Sequence, residues 1–317
     1  MLTMDLIPFN DFWLDCYSTM LYTILLSVSD VDKAYIYNNN YEYQLKKENM
    51  HTSNESFYSL QSFTQHTILA ERLLRNEYEI LFSDKKEPLN VIKNMLDDSK
   101  IVMLAIDLFY WIKENLHYQK NHIVHLSLLK SYDERGKQLK VFETGNLGYQ
   151  EFIVPYERAI IAIDSAKSSS YIYNIDNELS ELMYTKKDIV NNAKLIIKSI
   201  DIIRKNQELV WRLDAISENS MGFVSDIIKT HLFNMQNREK VNRHLFMIVL
   251  KDYNTDFFDY SIEFANLEQQ FENLKNRLIK YEYQSGVKEG IKVIKEKVID
   301  LLFRERDIWS RFLNMIK

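Results

Sequence analysis

The segment 8-PFNDFWLDC-16, followed by the apolar run 17-YSTMLYTILLSV-28, determines the expected fold of this chain. The run has a helical pattern, so we predict a helix from Cys16 to Val28. Cys16 is the only cysteine in the chain. It is expected at the start of this helix, where exposed backbone N–H groups favour the thiolate form.

A histidine and a carboxylate further along the chain could serve as partners of this thiol. His125 opens the apolar series 125-HLSLLKSYD-133, and Glu143 ends the next one, 139-LKVFE-143. Both series read as strands, joined by a hairpin turn that contains Gly136. An imidazole activates a thiol, and a carboxylate can fix the tautomer of the imidazole. Cysteine at a helix start, then histidine and carboxylate on successive strands, is the layout of a papain-like site.

Each of these residues also has a simpler interpretation. A single cysteine is most often a small core residue, and a lone strand histidine or hairpin carboxylate is most often structural. Their joint order favours a catalytic site. Asn10, six positions before Cys16, is expected to join the Cys16 backbone N–H in an oxyanion hole.

No metal site or cofactor is expected. His122 and His125 lie three positions apart, so on a strand they would point to opposite faces. No second cysteine completes a metal-ligand set.

Composition limits the class of protein. The 317 residues are 46% hydrophobic and 13% aromatic, with 6 Gly and 3 Pro, which suits a large core and many helices. A net charge of −5 argues against a nucleic-acid partner. No run reaches the roughly 18 apolar residues of a membrane span, and no leader is evident. The single cysteine suits the cytoplasm.

The two halves of the chain differ in pattern. The first half mixes helix and strand signals, including a buried strand at Lys100–Asp107, and the second half carries repeated helical patterns. We predict an α+β fold: a papain-like domain over residues 1–170, with its N-terminal helix packed on an antiparallel sheet, and an all-helical domain over residues 171–317. The polar stretch Ser165–Ser170 marks the boundary. A loop is expected at Lys46–Ser59 and a helix at Leu60–Asn76.

Two sets of residues resemble known families. Asn10-x4-Asp15-Cys16 resembles the Gln-x4-Asp-Cys start of bacteriocin-processing (C39-like) cysteine peptidases. The block from 102 to 133 is more similar to the N-terminal domain of the butirosin biosynthesis protein H-type family. That family carries an aspartate and an aromatic pair after a buried strand, then His-x-x-His, then Gly-Tyr-Asp. The matching residues here are Asp107-Leu-Phe-Tyr110, His122-Ile-Val-His125 and Ser131-Tyr-Asp133.

The resemblance covers about residues 1–160 and implies an acyltransferase rather than a protease. Such an enzyme takes an acyl group from a phosphopantetheinyl carrier protein, acyl or peptidyl, and transfers it to an amine in antibiotic assembly of the nonribosomal-peptide kind. The nearest association is the amide-forming enzyme of closthioamide-type polythioamide assembly, with a small diamine as acceptor. Cys16, His125 and Glu143 would be catalytic.

The same resemblance places Asp107, Tyr110 and His122 at the acyl or acceptor site. Asn10 stands where the family has Gln, and Glu143 where it has Asp, so this chain departs from the family pattern at the oxyanion hole and at the hydrogen bond of the histidine.

Two alternatives stay open: a thioesterase or peptidase with the same triad, and a non-catalytic scaffold. The complete Cys16, His125 and Glu143 set argues against the scaffold, whereas the sequence leaves water and amine equal as acceptors.

Overall fold

A computed structural model describes residues 6–13, 15–28, 36–37, 41–49, 55–64, 78–82, 87–145, 148–174, 185–250, 257–284 and 286–316. These residues form seven helices and two antiparallel sheets. In chain order the elements are α1 (Cys16–Val28), β1 (Tyr41–Asn49), β2 (Ser56–Thr64), β3 (Tyr78–Ile80), α2 (Pro88–Asp97), β4 (Ile101–Asp107), β5 (Val124–Asp133), β6 (Gln138–Gly145), β7 (Gly148–Pro155), α3 (Tyr156–Ala166), β8 (Ser170–Tyr173), α4 (Lys186–Lys205), α5 (Met221–Val249), α6 (Phe257–Tyr283) and α7 (Val287–Met315).

The chain divides into two compact units, each built from two segments. The first comprises residues 1–31 and 67–182, and the second comprises residues 32–66 and 183–317. The predicted boundary after residue 170 falls inside the sheet of the first unit, because β8 pairs with β3 and β4 there. The second unit contains the helices α4–α7 and also the hairpin β1–β2.

The first unit is organised around β4. Its sheet has the strand order β3-β8-β4-β5-β6-β7, and every neighbouring pair is antiparallel. All seven residues of β4 are buried. Val102, Leu104 and Ile106 belong to one core cluster with residues of α2 and α3. An unbroken apolar strand is typical of a position covered on both faces.

The second unit encloses a network of buried polar groups. The Glu305 carboxylate accepts hydrogen bonds from the Tyr41 hydroxyl, the Tyr43 hydroxyl at 2.6 Å and the Trp309 indole at 3.3 Å. Glu239 is fully buried beside it. Burial, and then the charge of Glu305, raises the pKa of Glu239 well above its usual value. Burial also raises the pKa of Glu305, but the hydrogen bonds from Tyr41, Tyr43 and Trp309 oppose that rise. Glu239, which lacks these donors, is therefore the member of the pair that holds the proton.

Several predicted elements are confirmed. α1 runs from Cys16 to Val28 as expected, the strands around the hairpin turn are present, and four helices, α4–α7, make up most of the described C-terminal region from Lys186. The fold is α+β.

Two local predictions in the first half are wrong. Residues 46–49 and 56–59 of the loop expected at Lys46–Ser59 are strand, because β1 and β2 pair with each other, and residues 50–54 lie outside the described part. The helix expected at Leu60–Asn76 is strand through residue 64, and residues 65–76 lie outside the described part. The hairpin is polar along most of β1, whose first and third residues, Tyr41 and Tyr43, are buried. Its pattern therefore lacks the full alternation by which a strand is recognised.

None of the helices in the described ranges has an apolar stretch of the length needed to cross a membrane.

The assignment of the proton to Glu239 makes a prediction about stability. Glu305→Gln should destabilise the protein by about 3 kcal/mol, because buried donors lose a charged acceptor. Glu239→Gln should cost less than about 1 kcal/mol, because an amide has the shape and donor capacity of a protonated carboxyl. Chemical denaturation at neutral pH measures both.

The pH dependence provides an independent check. The folded protein holds a proton on Glu239 that the unfolded chain releases, so stability should fall as pH rises above the ordinary glutamate range. Glu239→Gln should flatten that slope. Equal destabilisation by the two substitutions would contradict the assignment of the proton.

Candidate active site

Asp15 defines the start of α1. Its carboxylate accepts the Ser18 backbone N–H at 2.7 Å and the Ser18 hydroxyl at 2.6 Å, and its carbonyl accepts the Thr19 N–H at 3.1 Å. This is the arrangement of a helix N-cap. Cys16 is consequently the first residue of the helix and is partly exposed. Its thiol lies where the helix dipole and the unpaired N–H groups stabilise negative charge.

The structure brings the predicted partners to this thiol. His125 is the second residue of β5, and Glu143 lies on β6. The distance from His125 Nε2 to Glu143 Oε1 is 3.4 Å, and the two side chains are 20% and 2% exposed. Cys16 lies beside His125, since both line the same cavity and Cys16 is one of the two partners that raise the pKa of His125. Because Nε2 faces the carboxylate, Nδ1 is the ring nitrogen that remains for the sulfur.

These contacts determine the charge of His125. Burial lowers its pKa, but the hydrogen bonds and charges of Cys16 and Glu143 outweigh burial and raise the pKa from 6.5 to about 10. At neutral pH His125 is therefore an imidazolium between a thiol group and a carboxylate. The stabilisation that these partners supply is complete below pH 6.5 and is lost as pH rises through about 10.

The Glu143 side chain contacts both His125 and the backbone of its own strand. Its Oε1 also accepts the Thr144 backbone N–H at 2.9 Å. This second contact orients the longer side chain, which stands where the resembling family has Asp. Oε2 is buried and has no hydrogen-bond partner in the described part of the chain.

Asn10 has a structural partner. Its amide nitrogen donates to the Tyr149 carbonyl at 2.8 Å, and its amide oxygen accepts the Tyr149 N–H at 3.0 Å. Gly148 has φ of +98°, and a Cβ there would lie 3.0 Å from the Asn10 amide oxygen, so glycine suits this position. Asn10 therefore fastens the segment before α1 to β7. Its role in an oxyanion hole stays a prediction.

The Tyr149 phenol, on β7, lies near enough to the site to be affected by the charges of Glu143 and Cys16. Burial, and then the charges of Glu143 and Cys16, raises the pKa of the Tyr149 phenol well above its usual value near 10. The hydroxyl is therefore neutral at physiological pH, and it is buried without a hydrogen-bond partner among the described residues.

Asp107 and His122 form a second polar cluster in the first unit. The buried Asp107 carboxylate accepts the Ser165 hydroxyl at 2.6 Å and the Phe109 N–H at 3.0 Å, and it lies 2.7 Å from His122 Nδ1. Burial raises the pKa of Asp107, but these hydrogen bonds, led by that of His122, lower it on balance. Asp107 is therefore a charged anchor for His122.

Aromatic rings complete this cluster. The exposed His122 ring stacks on Phe109 with centroids 4.2 Å apart, and Tyr110 lies 5.8 Å from His122. His122 precedes β5, whereas His125 is within it. The two histidines therefore belong to different clusters: His125 joins Cys16 and Glu143, and His122 joins Asp107 and Tyr110.

A cavity of about 360 Å³ opens beside Cys16 and His125. Its other lining residues come from three regions of the first unit: Asp15, Tyr17 and Met20 around α1, Ala105, Val124 and Leu126 on β4 and β5, and Ser168, Ser169 and Tyr171 at the start of β8. Sequence reasoning missed most of these residues. It interpreted Ser168 and Ser169 as part of a domain boundary, and no local signal distinguishes a cavity wall from a linker of this composition.

Among the described residues, no group of three or more His, Cys, Asp or Glu side chains is arranged to hold a metal ion. No family model matches the chain, and no curated protein matches it.

The charge of His125 can be tested directly. Glu143→Gln should move the titration of the His125 ring from about 10 toward 6.5, because one charged partner is lost. NMR of the histidine ring protons measures this shift. Glu151→Gln is the matched control, because Glu151 pairs with Lys130 on the surface at 2.7 Å. A Glu143→Gln titration that coincides with that of the unaltered protein would remove Glu143 from the site.

The contact between Asn10 and β7 predicts a cost in stability. Asn10→Ala removes both hydrogen bonds to the Tyr149 backbone and should lower the free energy of unfolding by about 1–2 kcal/mol. Chemical denaturation measures the loss. Asn121→Ala is the control, because Asn121 is exposed and its side-chain amide lies 3.3 Å from His117 Nδ1, four residues earlier in the same loop. Equal effects of the two substitutions would show that Asn10 fastens nothing.

Proposed function

We propose that the protein is a cysteine-dependent acyltransferase whose first unit is a papain-like catalytic domain. More specifically, we infer an amide synthase that takes an acyl group from a carrier-protein thioester and delivers it to an amine. The observation that carries this proposal is the convergence of Cys16, His125 and Glu143 beside a cavity. The resemblance to the butirosin biosynthesis protein H-type family supports transfer rather than proteolysis.

The chemistry follows from the charges of the site. The Cys16 thiolate attacks the thioester carbonyl, and the His125 imidazolium protonates the departing pantetheine thiolate. This step leaves an acyl-cysteine and a neutral imidazole. The amine then attacks the acyl-cysteine, and His125 takes its proton as the amide leaves. The thiolate and the imidazolium are thereby restored. A thioester is more reactive than an amide, so the sequence of steps needs no further energy source.

Individual residues have distinct roles in this mechanism. Glu143 orients His125 and stabilises its positive charge, and the Cys16 backbone N–H at the helix start is a donor for the developing oxyanion. A second polar cluster, formed by Asp107, His122 and Tyr110, adjoins the cavity. Asp107 is the strand partner of Val124, which lines the cavity. We assign this cluster to the acceptor side. A carrier protein and a small amine are the proposed partners, and the cytoplasm is the proposed location.

A hydrolase with the same triad is the second candidate. Water would then replace the amine, and the acyl-cysteine would be the same. A scaffold is less favoured. The Glu143 carboxylate is only 2% exposed beside an imidazolium, and burying such an ion pair has a desolvation penalty that a non-catalytic protein has no reason to retain.

The proposal predicts a covalent intermediate. Incubation with an acyl-pantetheine thioester should add the mass of one acyl group to the protein, and Cys16→Ala should show no addition. His125→Ala should slow acylation by at least about a hundredfold, because an ordinary thiol is mostly protonated at neutral pH. Intact-protein mass spectrometry measures both.

The control for this prediction is His122→Ala, which removes a histidine of the other cluster and should still be acylated at Cys16. Adding a diamine should yield an amide, whereas a hydrolase would release only the free acid. Full acylation of Cys16→Ala would end the covalent hypothesis, and loss of acylation in His122→Ala alone would identify the other histidine as the base.

A further inference from the structure

The cavity beside Cys16 has a defined direction. Val124 is 52% exposed and Ser168 is exposed, so they mark the mouth. Ala105 and Met20 are 3% and 1% exposed, so they form the floor. Cys16 and His125, which are half-buried, lie at intermediate depth. Seen from the Cys16 sulfur, the closed end of the cavity therefore lies toward Ala105 and Met20.

The lining also has a defined chemistry. The floor and one wall are hydrocarbon, from Met20, Ala105 and Leu126, and hydroxyl groups come from the β8 side. No lysine or arginine is among the described lining residues. The one carboxylate, Asp15, already accepts two hydrogen bonds from Ser18. The one cation of the lining, the His125 imidazolium, already lies 3.4 Å from the Glu143 carboxylate. A carboxylate on the acyl group would therefore compete with Glu143 for it and would lie near the charge of Asp15.

The size of the cavity limits the acyl group further. A volume of about 360 Å³ lies at the lower end of the range in which proteins enclose small ligands. Ala105 and Leu126 are directly opposite each other on β4 and β5 and both line the cavity, so a change of side-chain size at either position alters the same part of its lining.

From this geometry we propose that the cavity is the acyl pocket and selects uncharged acyl chains of medium length, with the tail seated against Ala105 and Met20. The inference rests on the proposed function, because it takes Cys16 as the residue that carries the acyl group. Each methylene buried in the pocket should favour acylation by roughly fourfold. A chain longer than the pocket gains nothing further.

A graded series of donors tests the pocket. Acetyl-, hexanoyl-, adipoyl- and hexadecanoyl-pantetheine are compared by the rate at which each acylates Cys16, read by intact-protein mass spectrometry. Hexanoyl should react on the order of a hundredfold faster than acetyl, because it buries four more methylenes. Adipoyl has the same number of carbons with a terminal carboxylate and should react at least about tenfold more slowly than hexanoyl.

Two substitutions locate the pocket. Ala105→Leu adds bulk at the floor and should lower the hexanoyl-to-acetyl rate ratio by at least about tenfold. Leu126→Ala, at a partly exposed position, enlarges the same wall and should raise the hexadecanoyl-to-hexanoyl ratio. It serves as the second variant if Ala105→Leu fails to fold. Ala215→Leu, at an exposed alanine of the second unit, is the matched control and should change neither ratio.

The outcomes separate the two proposals. If no donor acylates Cys16, the proposed function fails and the pocket assignment fails with it. If acetyl, hexanoyl and adipoyl acylate Cys16 at equal rates, the acyltransferase stands and the pocket is overturned. Rate ratios that do not respond to Ala105→Leu or to Leu126→Ala would also overturn it.

Discussion

The contact between the buried Glu143 carboxylate and the His125 ring is the interaction on which the candidate site depends. A carboxylate in so little contact with water is costly unless a positive charge or several hydrogen-bond donors compensate for the lost hydration. His125 supplies that charge, because its pKa is raised to about 10 by Cys16 and Glu143 acting together. Cys16 and Glu143 therefore both stabilise the charged form of His125, whose chemistry depends on the two of them.

Two local devices position the thiol for this contact. The Asp15 carboxylate caps α1, so the helix begins at Cys16. The Asn10 side chain forms hydrogen bonds with both the carbonyl and the N–H of Tyr149, which fastens the segment before α1 to β7. Because β7 pairs with β6, the strand of Glu143, Asn10 links the segment that precedes the thiol to the strands that carry the carboxylate.

The second unit has its own buried polar centre. The hairpin β1–β2 comes from the first half of the chain, yet Tyr41 and Tyr43 donate to Glu305 on α7. The helical region therefore depends on a hairpin more than two hundred residues earlier, at sequence separations of 264 and 262. A boundary drawn at one point along the sequence does not describe such a unit, because each unit contains two separate segments.

The sequence by itself determined the helix from Cys16 to Val28, the buried strand β4 and the helical character of the C-terminal region, since these depend on short-range periodicity. It also predicted the set of Cys16, His125 and Glu143, since a helix start and two hairpin strands restrict where such side chains lie. Only the tertiary structure decided the partner of Asn10, 139 residues away, and the residues that line the cavity. These depend on packing between segments that are distant in the chain, and no local pattern records such contacts.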